Sequence, residues 1–429
     1  MKNPRLLTIF LIVFTGILGF SFILPLVPYY GDAYGLSDAM IGLLVASFPA
    51  AQFIGTPVLG RLSDRHGRRP ILMVSVTGTV LSLIVFGLSA PIGTWLAETV
   101  FTGAGTTTMI VIVLFASRIM DGLTGGNISV AQAYITDETT EENRASGLAL
   151  VGVAFGLGFV FGPATGGFLS TQFGLAIPAL VAAGISTISL LLVILVLPES
   201  LPVEERADDL GEAQPDRRLN LDALRIALSK PLVGALLGTT FFFLLAFAIL
   251  QGIFTLYALR RFGVNEQQAG LLLTYVGIIS IIVQGGLIKP LTKVFDDFQL
   301  IVGCTGLMAV SLLGWGLAGS IPALLVVLAG VAASGGMMNV ILRSALTKVT
   351  ARSETGGVLG IQSALESLTR ALGPAVGGWM LATLGTWAPG IFSGIELLIL
   401  LPVVYVVFIV KRGDLRKQTQ PASGSSAAR

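Results

Sequence analysis

Two oppositely charged pairs sit inside long apolar runs of this 429-residue chain. Arg118 and Asp121 are three apart in Arg118-Ile119-Met120-Asp121-Gly122, and Glu366 and Arg370 are four apart. Each pair therefore shares one helix face. An ionised side chain in mid-membrane costs about 2.5–3.5 kcal/mol on insertion scales, which an opposite neighbour offsets. Two readings stand for each pair. It is a neutral ion pair that packs helices, or its carboxylate takes up a proton under the control of the arginine and of water access. Glu396 lies in another apolar run with no basic neighbour in sequence. Gln52, Asn127, Gln251, Asn339, Gln362 and Glu396 are the candidates to line a substrate cavity, with Tyr29 and Tyr30 among the aromatic ones. The single histidine, His66, and single cysteine, Cys304, give no imidazole or thiolate cluster for a metal and no intrachain disulfide. No H-E-x-x-H or Gly-x-Ser-x-Gly stretch is present, so neither an enzyme nor a cofactor is expected.

Composition fixes the elements that must hold these residues. The chain is 54% hydrophobic and 12% charged, with a mean hydropathy of +0.86. A soluble domain carries about 25% charged residues, so this chain is expected to dissolve in lipid. Apolar runs near 6–28, 39–59, 71–92, 106–134, 145–168 and 174–197 are each close to the length needed to cross a bilayer. Six more follow near 232–257, 267–289, 299–318, 321–346, 356–381 and 388–410. All twelve are expected to be helical, because lipid offers no partner to an open backbone. The first run follows Lys2 and Arg5 but is too long for a secretory signal and lacks a small-residue cleavage site, so it reads as a retained helix.

The hydrophilic stretch 198–231 divides the spans six and six. It separates an N-terminal bundle (1–197) from a C-terminal bundle (232–411) as a cytoplasmic linker, partly helical near 219–228. The tail 412–429, rich in Ser, Ala and Gln, reads as disordered. With both termini in the cytoplasm, only Arg260 and Arg261 of the 26 lysines and arginines fall in outer loops, and only Arg118 and Arg370 stay within spans. That bias decides the orientation and supports an even number of spans. A net charge of +2 gives no footprint for nucleic acid. With no targeting signal recognised in the sequence, a plasma (inner) membrane is the expected location.

Between the second and third runs lies a polar island, Gly60-Arg61-Leu62-Ser63-Asp64-Arg65-His66-Gly67-Arg68-Arg69-Pro70. It reads as the connecting loop. Gly67 allows a tight turn, Pro70 suits the first turn of the next helix, and Asp64 can accept from a helix amino terminus or an arginine. Its four arginines also suffice for a loop that only sets sidedness. The pattern at Gly60, Asp64, Arg65, Gly67, Arg68 and Arg69 resembles the signature loop of the major facilitator superfamily. The resemblance implies a cytoplasmic latch in which Asp64 faces the start of span eleven. Arg68 would pair with an acid at the end of span four, here Asp137. The stretch from Asp137 to Arg144 resembles that family's loop between spans four and five. Asp121 stands where the family pattern has Gln.

Span five carries Gly152, Gly156, Gly158, Gly162 and Gly166 with Pro163, spacings that let helices approach closely. Gly162-Pro163-x-x-Gly166-Gly167 also resembles the motif of exporters within the superfamily. It recurs in span eleven as Gly373-Pro374-Ala375-Val376-Gly377-Gly378, and Gly125-Gly126 recurs as Gly335-Gly336. Repeated halves serve alternating access, as in this superfamily itself. From span one to span five the chain resembles the proton-coupled, tetracycline-resistance type of exporter. It departs from that type in having no acids in spans one, three and nine, and in a segment near 93–107 that lengthens an outer loop. The expected fold is an all-α membrane protein of twelve transmembrane helices in two pseudo-symmetric six-helix bundles. The expected function is proton-coupled efflux of amphipathic small molecules by a secondary transporter. Import or facilitated passage of a small metabolite is the alternative, and a non-transporting receptor a remote one. The implied partners are a small-molecule substrate, protons and the bilayer, with the chain acting as a monomer.

Overall fold

The computed structural model describes residues 4–202, 204, 206, 229–351 and 354–410, and every regular element among them is a helix. Span one comprises α1 (Pro4–Ile23) and α2 (Val27–Ala33); α3 (Asp38–His66) and α4 (Arg68–Gly87) are spans two and three. A short helix, α5 (Ser89–Thr99), precedes span four, which consists of α6 (Thr106–Thr124) and α7 (Asn127–Asp137). Spans five to seven are α8 (Glu141–Phe173), α9 (Ala176–Leu195) and α10 (Pro231–Phe262). Span eight runs from α11 (Glu266–Ile282) through a π-helical turn, Val283–Leu287, into α12 (Ile288–Val294). The last four are α13 (Asp297–Leu317), α14 (Ile321–Val349), α15 (Thr355–Leu384) and α16 (Ala388–Tyr405). Eleven of these segments are long and apolar enough to span a membrane. The twelfth, α15, is 30 residues long, but Glu366 and Arg370 lower its hydropathy.

Four local features differ from the sequence reading. The polar island is not a loop. Helix α3 continues through His66 and α4 starts at Arg68, so the connection is Gly67 alone. Gly67 has φ 98° and ψ 159°, a conformation that a side chain disfavours. Span one is interrupted after Ile23, where Pro25 has no N–H to give and Pro28 opens α2. Span four is interrupted at Gly125-Gly126, whereas Gly335-Gly336 lies within unbroken α14. The first half of the segment expected as a long outer loop, residues 93–99, belongs to helix α5, where Gly93 closely approaches Ile110 of α6. The stretches 219–228 and 412–429 lie outside the described residues.

The chain groups by contact into two compact units. One holds the described residues of Met1–Glu212 with Gln251–Ile278 and Pro374–Thr386. The other holds those of Ala213–Leu250, Ile279–Gly373 and Trp387–Arg429. This differs from a division by repeat, because segments of α10, α11 and α15 pack with the first six spans. In unit one, α8 lies along α1, α6 along α3 and α9 along α4. Gly158, Gly162 and Gly166 bring α8 onto Ile17, Ser21 and Phe22, the close packing their spacing predicts. Two apolar clusters fill the unit, one around Ile12, Leu72 and Tyr134 and one around Leu26, Leu44 and Phe86. In unit two, α13 packs against α14 and α16. Gly373 lies against Ala248 in unit two, while Pro374 approaches Gly42 and Gly252 in unit one.

Candidate functional site

The first constellation surrounds the Gly67 turn. Arg68 is only 8% exposed and works as a hub. Its Nη1 donates to Ser63 Oγ at 2.9 Å and to Asp64 Oδ1, and its Nε donates to Asp137 Oδ2 at 3.0 Å. Ser200 Oγ donates to the same Asp137 oxygen at 3.0 Å. Asp64, Arg68 and Asp137 therefore meet, and among the described residues Asp64 pairs with the arginine.

The helix end is served by a residue the sequence reading passed over. Glu199 accepts from the backbone N–H of Arg68 at 2.7 Å and of Arg69 at 3.2 Å. Its carboxylate thus closes the amino terminus of α4, where the backbone carries partial positive charge. The first turn of α4 contains no acid of its own and two arginines, which is the sequence signal for a carboxylate supplied from elsewhere. Arg69 does the converse at the other polarity. It donates to the carbonyls of Val193 at 3.2 Å and Ile194 at 2.5 Å, at the carboxyl end of α9. Arg5 pairs with Glu138 at 2.9 Å, tying α1 to the end of α7. Gly60 faces open space, and Arg65 and Arg144 are exposed, Arg144 in the first turn of α8.

The second constellation lies at the break in span four. Arg118 and Asp121 are 4% and 6% exposed and pair at 3.3 Å. The Arg118 guanidinium lies 4.7 Å from the ring centroid of Phe48 on α3 and 5.8 Å from that of Phe86 on α4. The pair is thus enclosed within unit one. Immediately beyond it the helix opens, and the freed backbone groups are answered locally. Gln52 Nε2 donates to the Gly125 carbonyl at 2.9 Å and Ser75 Oγ donates to that of Thr124. Non-helical backbone at membrane depth persists only where protein or water covers it. Gln52 is half-buried and committed to this task, and half-buried Asn127 starts α7 with its Oδ1 accepting from Ile128 N at 2.9 Å.

The third constellation is in unit two. Arg370 donates to Glu366 Oε1 at 2.6 Å, as the spacing predicts. A second arginine, Arg343 of α14, donates to Glu366 Oε2 at 3.0 Å. In the sequence Arg343 stands out only as part of the basic bias, because the α14–α15 neighbourhood has no local signature. Asn339 and Glu396 are half-buried and Gln362 is buried in the same unit, while Gln251 is exposed in unit one.

At the opposite end of α3 from Gly67, Arg260 bridges Asp32 at 2.6 Å and Asp38 at 2.8 Å. Arg260 and Arg261, expected in an outer loop, both occupy the last turn of α10. Tyr29 and Tyr30 are likewise not cavity-lining. They are 7% and 2% exposed, and their hydroxyls donate to Val264 O at 2.7 Å and Leu175 O at 2.6 Å.

These features define a polytopic helical membrane protein whose charged groups cluster at helix turns and inside its spans. The profile of the Major Facilitator Superfamily matches residues 9–298 and 236–428, and the chain belongs to that superfamily of transporters. It is 30% identical over 385 residues to the class C tetracycline resistance protein of Escherichia coli, covering 87% of this chain and 89% of that one. It is 29% identical to multidrug resistance protein 2 of Bacillus subtilis, covering 91% and 93%. Identity is also 29% to solute carrier family 22 member 18 of Mus musculus, covering 89% and 90%. Among solved structures, the human organic anion transporter MFSD10 superposes with a TM-score of 0.65 at 22% identity, covering 94% of this chain and all of that one. The D-xylose–proton symporter gives 0.67 at 18%, covering 92% and 97%.

Proposed function

We propose that this transporter works by alternating access and exports amphipathic small molecules from the cytoplasm in exchange for protons. The observation that carries the reading is the enclosed Arg118–Asp121 pair beside the break in span four. A carboxylate sealed among helices serves transport if its access to water can change. The neighbouring backbone is held by two side chains, Gln52 and Ser75, so a rearrangement of these two donors uncovers Asp121. Asp121 is the proton carrier on this reading, with Glu366 the second intramembrane acid. Similarity to a tetracycline resistance protein and a multidrug resistance protein supports efflux as the direction.

The Arg68 hub holds the Gly67 side of unit one together, and Arg260 with Asp32 and Asp38 holds the other end. These are the two gates, opened in turn. The chain acts as a monomer in the plasma membrane with both termini in the cytoplasm. Everted vesicles energised with an imposed pH gradient test the reading. Uptake of an amphipathic fluorescent dye should follow the gradient, and Asp121→Asn should abolish that dependence while the protein remains folded. Uptake indifferent to the gradient would remove proton exchange. Similarity to a solute carrier favours a second reading, entry of a small metabolite, for which cells would accumulate substrate rather than lose it.

A further inference from the structure

The cluster around Glu366 is unbalanced. Two guanidinium groups, Arg343 and Arg370, share one carboxylate, and among the described residues Glu366 is the acid that pairs with either. Its sum is one positive charge. Both arginine side chains are 53% exposed, whereas Glu366 is 15% exposed. Arg370 lies midway along α15, about 20 Å from either end, farther than its side chain can reach toward a membrane surface. Exposure to lipid at that depth is costly, so the exposed guanidinium faces water or a ligand. The surrounding positions agree. Gln362, Glu366 and Arg370 recur every four residues on one face of α15, and Asn339 and Arg343 do so on α14. Gln362 is 3% exposed, and its Oε1 has no hydrogen-bond partner.

We propose that Arg343 and Arg370 bind the anionic group, a carboxylate or sulfonate, of an amphipathic organic substrate. Guanidinium groups match such planar or trigonal oxygen sets with paired N–H donors. One negative charge on the ligand completes the neutralisation that Glu366 leaves unfinished. Glu366 competes for the same donors and tunes the affinity. This rests on the transport reading above and adds the substrate's charge class to it.

The test is equilibrium binding of naphthalene-2-sulfonate and of tetraphenylphosphonium to the purified full-length protein. The sulfonate should bind and the cation should bind more weakly. Arg343→Gln and Arg370→Gln should each weaken sulfonate binding at least tenfold. Arg370→Lys should weaken it less, and Glu366→Gln should tighten it several-fold. The last two variants keep the test decisive if Arg343→Gln or Arg370→Gln fails to fold. Sulfonate binding that is absent, weaker than that of the cation, or unchanged by the arginine substitutions overturns the assignment. Gradient-driven flux of the cation without sulfonate binding would sink this site and leave proton exchange standing. Sulfonate binding without any gradient-driven flux would do the reverse.

Discussion

At the turn into span three, a cation, Arg68, reaches an acid, Asp137, at the end of span four. At the turn into span nine, an acid, Asp297, reaches a cation, Lys348, at the end of span ten, at 2.7 Å. The two turns occupy matching places in the repeat with their charges exchanged, and they are built differently around that exchange. The Arg68 side chain is 10% exposed and the Lys348 side chain 65% exposed. Helix α4 is closed at its amino terminus by Glu199, far away in the chain. Helix α13 closes its own: Asp296 accepts from Phe298 N and Gln299 N, and the Gln299 side chain answers Asp296 N. The first turn therefore gathers the ends of α3, α4, α7 and α9 onto one guanidinium and its neighbours. The second is a local cap whose Asp297 is tied to one neighbouring helix, α14, by Ser344 Oγ at 2.8 Å and by the exposed Lys348. The gate proposed at the first turn must hold several helices together, and this construction suits it.

The sharpest way to break this contrast is to delete the cation from each turn. Arg68→Gln leaves Asp64 and Asp137 facing each other without their partner and should cost about 3 kcal/mol, the low end for a buried pair losing one member. Lys348→Gln removes an exposed partner and should cost under about 1 kcal/mol. Thermal unfolding of the purified variants in one detergent measures both. Equal losses would mean that the two turns are energetically alike despite their construction.

Next in size is the turn residue. Gly67→Ala forces a side chain into a backbone region it disfavours and toward the Glu199 carboxylate. About 2 kcal/mol should be lost, within the usual range for a strained residue. Gly60→Ala, six residues before the helix end and facing open space, should be neutral or slightly stabilising. A harmless Gly67→Ala would show that the turn relaxes.

A third contrast concerns the repeated glycine pairs. Gly125-Gly126 interrupts span four because Gln52 and Ser75 accept the burden of its freed carbonyls. Gly335-Gly336 stays helical; Gly335 packs on the Phe247 ring, and Ser334 Oγ bonds back to Gly330 O at 2.7 Å. Gln52→Leu should therefore destabilise by about 1–3 kcal/mol, the cost of an unanswered buried carbonyl. Its effect on transport should exceed its effect on folding, because the break adjoins Asp121. A variant with unchanged flux and unfolding temperature would show that the amide is dispensable.

These cases mark what was legible in the sequence. Hydropathy and the basic-loop bias were enough for twelve helical spans, because lipid leaves the backbone no alternative. The pairs Arg118–Asp121 and Glu366–Arg370 were legible because helical spacing is local. Asp137 came from resemblance alone. Arg343 and Glu199 were not legible: each meets its partner across a long stretch of chain, and no periodicity encodes that meeting. The Gly125 break was hidden for a related reason. An identical dipeptide takes two conformations, and the deciding donors sit on α3 and α4.

The smallest expected effect tests the missed residue. Glu199→Gln keeps a side-chain oxygen near the backbone donors of Arg68 and Arg69 but removes the charge. Carboxylates at helix amino termini contribute about 0.3–1 kcal/mol through the helix dipole, less as salt rises. Glu199→Gln should thus lower the unfolding temperature slightly, and the deficit should shrink in high salt. Asp296→Asn at the self-capped α13 should give a loss of similar size. If Glu199→Gln instead costs as much as Arg68→Gln, Glu199 is a structural member of the hub rather than a cap. The linker that follows it would then be anchored to the gate, and shortening that linker should alter transport rate before it alters stability.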